Sequence, residues 1–178
     1  MRKLTLTALF CVAAAAAQSA AAMNWEDYPY FDVVFSVEGW PKAGPRPDGK
    51  IDAGRFGFQA QVPQGATGKA AVQNFSLMVP LGDPAMLFMK TALEGRLLKT
   101  MLVEAFPRGV TKPAPRAPFA ARLSEVRVTS VDVDFAGGFT YVALQPTKVE
   151  IFTAIQAPTG AMQPSQQFGW DIRANKGM

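Results

Sequence analysis

The stretch ARLSEVRVTSVDVDF, residues 121–135, alternates apolar and polar side chains along much of its length. A period of two is typical of a β-strand that has one buried and one wet face. The apolar residues change parity after Val128, because those from Val131 to Phe135 stand at odd positions. We therefore predict a long strand with a β-bulge near Thr129–Ser130, which returns the apolar side chains to one face.

Similar apolar or alternating segments recur along the chain. They occupy residues 30–39, 54–62, 72–79, 97–106, 139–155 and 166–174. Pro146 interrupts one of these segments and predicts an edge or a bulge there, because proline cannot donate a ladder hydrogen bond. Short strands separated by Pro and Gly turns are typical of a β-sandwich or β-barrel. The sequence thus predicts one mainly β domain.

One segment, GDPAMLFMKTALEG at residues 82–95, has a helical period instead. Asp83 is predicted as the N-cap, Pro84 as the first helical residue, and Gly95 as the residue just past the end. The helix should rest on the sheet through an apolar stripe. The stripe consists of Ala85, Phe88, Met89, Ala92 and Leu93.

Two places on the chain are candidates for subunit contacts. Met86 and Leu87 widen the apolar surface of the helix, which indicates that it is covered on more than one side. The segment PRGVTKPAPRAPFA carries Arg108, Lys112 and Arg116 and no acid. An extended, solvated loop is the simpler interpretation of this segment, and a docking loop for a neighbouring subunit is the other.

The composition excludes most catalytic chemistry. The chain has no His and one Cys, at position 11, so Ser–His–Asp triads, Cys–His pairs and zinc centres built on these residues are excluded. Carboxylate pairs remain, at Glu26–Asp27 and at Asp132–Asp134. Asp132 and Asp134 share a strand face, but acids next to a turn are more often solvated. No phosphate-binding glycine loop is present, and we predict no enzyme, no metal and no cofactor.

The first 22 residues have the pattern of a secretory signal peptide. Arg2 and Lys3 precede an apolar, Ala-rich run, and small residues end at Ala22. The run is shorter than the ~20 strongly apolar residues of a spanning helix, which disfavours an anchor. We predict cleavage between Ala22 and Met23, with cleavage after Ala20 or Ala21 as the alternatives, and a domain over residues 23–178. We further predict export to the periplasm or beyond, with assembly in the cytoplasm as the less favoured case, and no membrane insertion after cleavage.

The charge of the predicted mature chain is small. Removal of the signal peptide takes away two of the 18 basic residues and none of the 14 acidic ones, which leaves a net charge of +2. A nucleic-acid partner usually needs a concentrated basic patch. We therefore expect no nucleic-acid partner.

Several segments resemble the haemolysin-coregulated protein (Hcp) family. GWDIRANK is similar to the family's ending, in which Gly-Trp-Asp precedes an apolar residue, a basic residue and Asn-Lys. PAMLFMKTALEGRLLKTMLVE resembles the family's helix, turn and next strand, and VVFSVEG and RLSEVRVTSV resemble two further strands. The resemblance runs from Phe31 to Lys176. It makes Gly169, Trp170 and Asp171 the core of the family motif, with Trp170 as a core anchor.

The resemblance implies a two-sheet β-barrel with one flanking α-helix, assembled as a homo-hexameric ring. Such rings stack into the tube of type VI secretion and carry secreted effector proteins, so they act by assembly and not by catalysis. An export signal conflicts with tube assembly from the cytoplasm. The alternative function is therefore an exported Hcp-like binding module that works outside the tube, and a stable monomer would favour it.

Overall fold

The computed structural model describes residues 31–41, 46, 48–61, 71–107, 117–153 and 166–178. The strands are β1 (Phe31–Val37), β2 (Ile51–Ala53), β3 (Arg55–Gln61), β4 (Ala71–Pro80), β5 (Leu97–Pro107), β6 (Phe119–Asp134), β7 (Phe139–Gln145), β8 (Lys148–Thr153), β9 (Gln166–Asp171) and β10 (Lys176–Gly177). Helix α1 (Asp83–Leu93) stands between β4 and β5. The predicted signal peptide and its cleavage site at Ala22 and Met23 lie outside the described residues.

The strands form one large antiparallel sheet around β6. One end of β6 pairs with β5 and β8, and the other end pairs with β7. Strands β1, β2, β9 and β10 extend the part of the sheet on β5 and β8, and β4 and β3 extend the part on β7. The prediction of a mainly β fold with a flanking helix is confirmed. The closed barrel is not, because within the described residues the sheet remains open.

Strand β6 bends where its two parts meet. Glu125 has a φ of 48°, a left-handed conformation that is rare outside glycine. The bend is held from the opposite strand, since the Thr147 N–H donates to the Ser124 carbonyl at 3.0 Å and the Thr147 hydroxyl donates to Glu125 Oε2 at 3.0 Å. Leu123 and Val126 are both fully buried although they are three positions apart. The strand therefore rotates here and presents both of its parts to the same core.

The segment that pairs with β6 along this edge, β7 followed by β8, is interrupted opposite the bend. Ser124 pairs with Lys148 and Arg127 pairs with Gln145, so the register is unchanged across Pro146. Pro146 thus separates β7 from β8 at the bend, where no ladder hydrogen bond is needed from it. The predicted break at Pro146 is confirmed, but the predicted edge or bulge there is wrong, because the register continues and β7 and β8 are each paired on both sides. The predicted bulge in β6 is confirmed, as a register shift between Val128 and Ser130.

A second bend joins β2 to β3 at Gly54. The Gly54 N–H donates to the Met78 carbonyl at 2.9 Å, and the end of the Met78 side chain fills the space that a Cβ at Gly54 would need. Strand β2 pairs with β1, whereas β3 pairs with β4. The short β2–β3 segment therefore passes from one part of the sheet to the other.

A single core fills the space between the two parts of the sheet and under the helix. Its largest fully buried side chains are Phe35, Phe56, Phe75, Phe88, Leu77, Met101 and Leu123. Phe88 is the contribution of α1, and its ring lies 5.7 Å from Phe35 and 4.8 Å from Trp40 between centroids. The helix is thus fixed to the sheet by an aromatic cluster.

The ends of α1 differ in part from the prediction. Gly82, and not Asp83, is the N-cap, and Asp83 is already helical with no side-chain cap hydrogen bond. Glycine is an acceptable N-cap, and Asp83 still places a negative charge in the first turn, where the helix dipole favours it. Gly95 follows the helix with a φ of 64°, as predicted.

The buried face of α1 is also rotated relative to the prediction. Ala85, Phe88 and Thr91 are its buried residues, whereas Leu93 is 83% exposed. Thr91 can face the core because its hydroxyl donates to the Leu87 carbonyl at 2.7 Å. Leu93, which the apolar stripe placed inside, is therefore part of the surface.

Candidate assembly surfaces

The acidic side chains of the described residues are dispersed or serve turns. The described residues contain no group of three or more His, Cys, Asp or Glu side chains that could hold a metal ion. Asp132 and Asp134 are both exposed on β6, and Asp134 Oδ1 accepts a 2.8 Å hydrogen bond from the Gly137 N–H. Asp134 thus stabilises the turn after β6. Within the described ranges, no helix has the length and apolarity to cross a membrane.

Gly169 and Asp171 of the Gly-Trp-Asp segment take part in the contacts that hold the C-terminal hairpin together. Asp171 Oδ1 accepts a hydrogen bond from the Ala174 N–H at 2.7 Å, and Asn175 adopts the left-handed φ of 49° that closes the turn. Strand β10 then returns along β9, and the Met178 N–H donates to the Gly169 carbonyl at 3.0 Å. A Cβ at Gly169 would lie only 3.1 Å from the Met178 side chain.

Trp170 packs against the edge of the core from β9. Its side chain is half-buried, pairs across the sheet with Val149 and stacks on Phe168 at 6.1 Å and 10°. Its Nε1 is enclosed and has no hydrogen-bond partner among the described residues. Phe168, two residues before it on the same face of β9, is 49% exposed. The core therefore covers only part of this face of the strand.

The first exposed apolar surface, called the helix surface below, lies on α1 and the start of β5. It consists of Met86, Leu93 and Leu97, which are 62%, 83% and 54% exposed. Leu87 is half-buried and helps to line a groove of about 310 Å³ beside this surface, whose floor includes Trp40. Of the predicted contact residues, Met86 and Leu87 are therefore at a surface, whereas Arg108, Lys112 and Arg116 lie outside the described residues.

Charged pairs border this groove. Lys99 Nζ lies 2.6 Å from Glu38 Oε1, and Glu94 contacts Arg96 at 3.4 Å and Lys90 at 3.8 Å. The hydrogen bond between Lys99 and Glu38 lowers the pKa of Glu38 and raises the pKa of Lys99. These pairs are exposed and contribute little to stability. The groove thus combines charged residues with apolar ones such as Trp40, Leu87 and Leu98.

The second surface, the hairpin tip, lies where β6 turns into β7. Phe135 is 84% exposed, and Phe139, Tyr141 and Leu81 beside it are 37%, 47% and 36% exposed. The Leu81 N–H donates to the Gly138 carbonyl at 3.1 Å, which joins the loop before α1 to the hairpin. The parity of the sequence placed Phe135 with the buried residues, and that was wrong because the strand ends before it, at Asp134.

The third surface, the corner groove, lies at the bend of β6. It is an open groove of about 470 Å³ with Glu125, Arg127 and Arg173 among its polar residues. Its apolar lining consists of Pro146, Ile172 and Leu97, and Leu97 also belongs to the helix surface. Arg127 and Leu97 are cross-strand partners on the outer face. Sequence reasoning did not find this groove, because it forms only where the bend, Pro146 and the C-terminal turn come together.

The architecture is that of the Hcp proteins of type VI secretion, and this chain has the Hcp fold. It is similar to Hcp1 from Salmonella typhimurium, with 13% identity, a TM-score of 0.63 and coverage of 84% of this chain and 99% of that one. It is also similar to a type six secretion system protein, with 16% identity, a TM-score of 0.68 and coverage of 83% and 99%.

A type VI secretion system effector from Yersinia pestis shares the fold too, with 14% identity, a TM-score of 0.56 and coverage of 76% of this chain and 98% of that one. No family model matches the sequence, and no curated protein matches it either. At these identities the likeness is one of fold.

Proposed function

We propose that this protein is a self-associating structural protein of the type VI secretion kind, a ring-forming tube subunit or a carrier of secreted effectors. The observation that carries the proposal is the Hcp fold with large apolar side chains left on its surface. In this function the protein forms a homo-hexameric ring and acts by assembly, with no catalytic step and no cofactor.

Exposed apolar side chains support association because they are costly to leave in water. Leu93 and Phe135 are each more than four-fifths exposed, and they lie on separate surfaces together with Met86, Leu97, Phe139 and Tyr141. Clustered apolar surface of this kind usually marks an interaction site. Two different surfaces on one subunit suit a head-to-tail contact, which closes into a ring when the rotation between neighbours allows it.

The helix surface offers a direct test of assembly. We expect residues 23–178 to form hexamers in light scattering, and we expect Met86→Glu with Leu93→Glu to shift the population toward monomers, because the new charges would be buried in the contact. Ser76→Glu places one such charge on an exposed position of β4 and serves as the control for an added carboxylate. A wild-type protein that stays monomeric at high concentration would refute the proposed function.

The second candidate function, an exported binding module with the Hcp fold, rests on the signal-like N-terminus. We propose that the chain is exported and cleaved before Met23, on the basis of the basic residues, the Ala-rich run and the small residues up to Ala22. An exported ring and an exported monomer differ in mass. A cleaved, strictly monomeric protein in the periplasm would favour the binding module.

A further inference from the structure

We propose that the hairpin tip of one copy docks in the corner groove of the next copy, with Phe135 as the inserted side chain. This inference rests on the proposed self-association and specifies one contact within it, at a groove that shares Leu97 with the helix surface. The partner is a second copy of this chain, for reasons of shape, charge and position along β6.

The hairpin tip has the form of an insertion element. Phe135 is 84% exposed at the first position after β6. The turn beneath it is held by the hydrogen bond from the Gly137 N–H to Asp134, and the neighbouring loop is tied to it through Leu81 and Gly138. An aromatic side chain held outward by a rigid turn loses little conformational entropy when it is buried.

The corner groove has the form of a receiving site. Its volume of about 470 Å³ lies within the usual range of pockets that enclose small organic groups, and Leu97, Pro146 and Ile172 supply apolar contacts for a ring. Its walls are held in place: the Ile172 N–H donates to the Thr147 carbonyl at 2.8 Å, and the Thr147 side chain donates to Glu125. A preformed groove of this kind can accept a single aromatic side chain.

The charges of the two surfaces are complementary. Asp132 and Asp134 face outward beside the hairpin tip, and Asp132 pairs across the sheet with Tyr141. Arg127 and Arg173 line the corner groove, and both are exposed. Glu125, which accepts the Thr147 hydroxyl, is the acid of the groove. With two bases against one acid, the groove favours a partner that brings carboxylates.

The two surfaces are too far apart to meet within one chain. Arg127 and Phe135 lie toward opposite ends of the second half of β6, about 26 Å apart at the usual rise of a strand. Arg127 and Asp132 are both exposed on this half. A contact between two different patches is heterologous, so each copy can offer its tip to one neighbour and its groove to another. Repetition of this contact builds a ring or a stack.

Charge reversal separates this contact from a general loss of folding. Asp132→Arg puts a base opposite Arg127 of the neighbouring groove and leaves the tip with one base and one acid, and Arg127→Asp gives a chain with an acidic tip and an acid-rich groove. We expect each variant alone to assemble at least tenfold more weakly than wild type in mass photometry. An equimolar mixture should assemble again. In an alternating ring, half of the contacts join an unchanged tip to an unchanged groove, and the other half join the two reversed charges, which attract each other; a six-membered ring permits this alternation.

Phe135→Ala tests the inserted side chain, and Phe168→Ala, at another exposed Phe outside both surfaces, is its matched control. We expect Phe135→Ala to weaken assembly at least tenfold with an unchanged circular dichroism spectrum, and Phe168→Ala to leave assembly unchanged. If wild type assembles and these tip and groove variants assemble equally well, the docking is refuted and the proposed function stands. If the variants fail and the mixture does not recover, the charge pairing is refuted. A monomeric wild type would refute both.

Discussion

Truncation of Trp170 should destabilise the domain through the edge of its core. Full truncation of a core aromatic costs about 3–5 kcal/mol. Trp170 is half-buried, and its Nε1 has no hydrogen-bond partner among the described residues, so part of the cost of burying this side chain is removed with it. We therefore expect Trp170→Ala to lower the free energy of unfolding by about 3 kcal/mol, at the lower end of that range. For a domain of this size the melting temperature should fall by about 6–12 °C.

Trp170→Phe separates the ring from its N–H group. This variant keeps an aromatic side chain that can still stack on Phe168, and it removes the unpaired donor. The lost volume and the removed polar group offset each other, so we expect a change within about 1 kcal/mol. Urea unfolding at one fixed protein concentration measures both variants, because association shifts apparent stability. A Trp170→Ala protein as stable as wild type would contradict the packing of Trp170 against the core. A Trp170→Phe protein as destabilised as Trp170→Ala would contradict the unfavourable burial of the indole N–H.

Three further changes have defined outcomes. Gly95→Ala should cost about 1 kcal/mol in thermal unfolding, because the residue has a φ of 64° while nothing crowds its Cβ position, so an unchanged melting temperature would contradict the left-handed turn. Glu38→Gln should remove a small stabilisation that wild type has at pH values between the lowered pKa of Glu38 and the raised pKa of Lys99. In wild type this stabilisation is lost as the pH falls through the pKa of Glu38 or rises through the pKa of Lys99, and it should also be lost in 1 M salt. A difference in melting temperature between the two proteins that does not change with pH or salt would exclude the ion pair. Exported protein should begin at Met23 in N-terminal sequencing, and exported protein that retains Met1 would refute cleavage after Ala22.

Much of the fold could be predicted from local patterns. Alternation located the main strands, the parity change after Val128 located the bulge, and Pro146 located a break. These features depend on neighbouring residues alone, because side chains of a strand alternate between faces and proline lacks a donor. The bend at Glu125 also has a signal in the sequence, since Leu123 and Val126 already break the alternation. The alternation thus changes parity twice within a few residues, and the first of these changes marks the bend of the strand.

The surface positions could not be predicted in the same way. Leu93 continues the apolar stripe of α1, and Phe135 continues the parity of β6, but both are exposed. A local pattern shows which residues of a helix or strand share a face. It does not show how much of that face is covered by the elements that pack against it. The corner groove is harder still, because Leu97, Pro146 and Ile172 come from three distant parts of the chain. Exposed apolar residues at the ends of periodic segments are the places where such surfaces should be sought.

The proposed function depends on the assembly of this chain into a ring. Negative-stain electron microscopy of residues 23–178, purified without tags near the hairpin tip or the helix surface, tests it most directly. We expect two-dimensional class averages with six-fold rotational symmetry and an open centre. A uniform field of single small particles at the concentration where light scattering detects no larger species would contradict the claim.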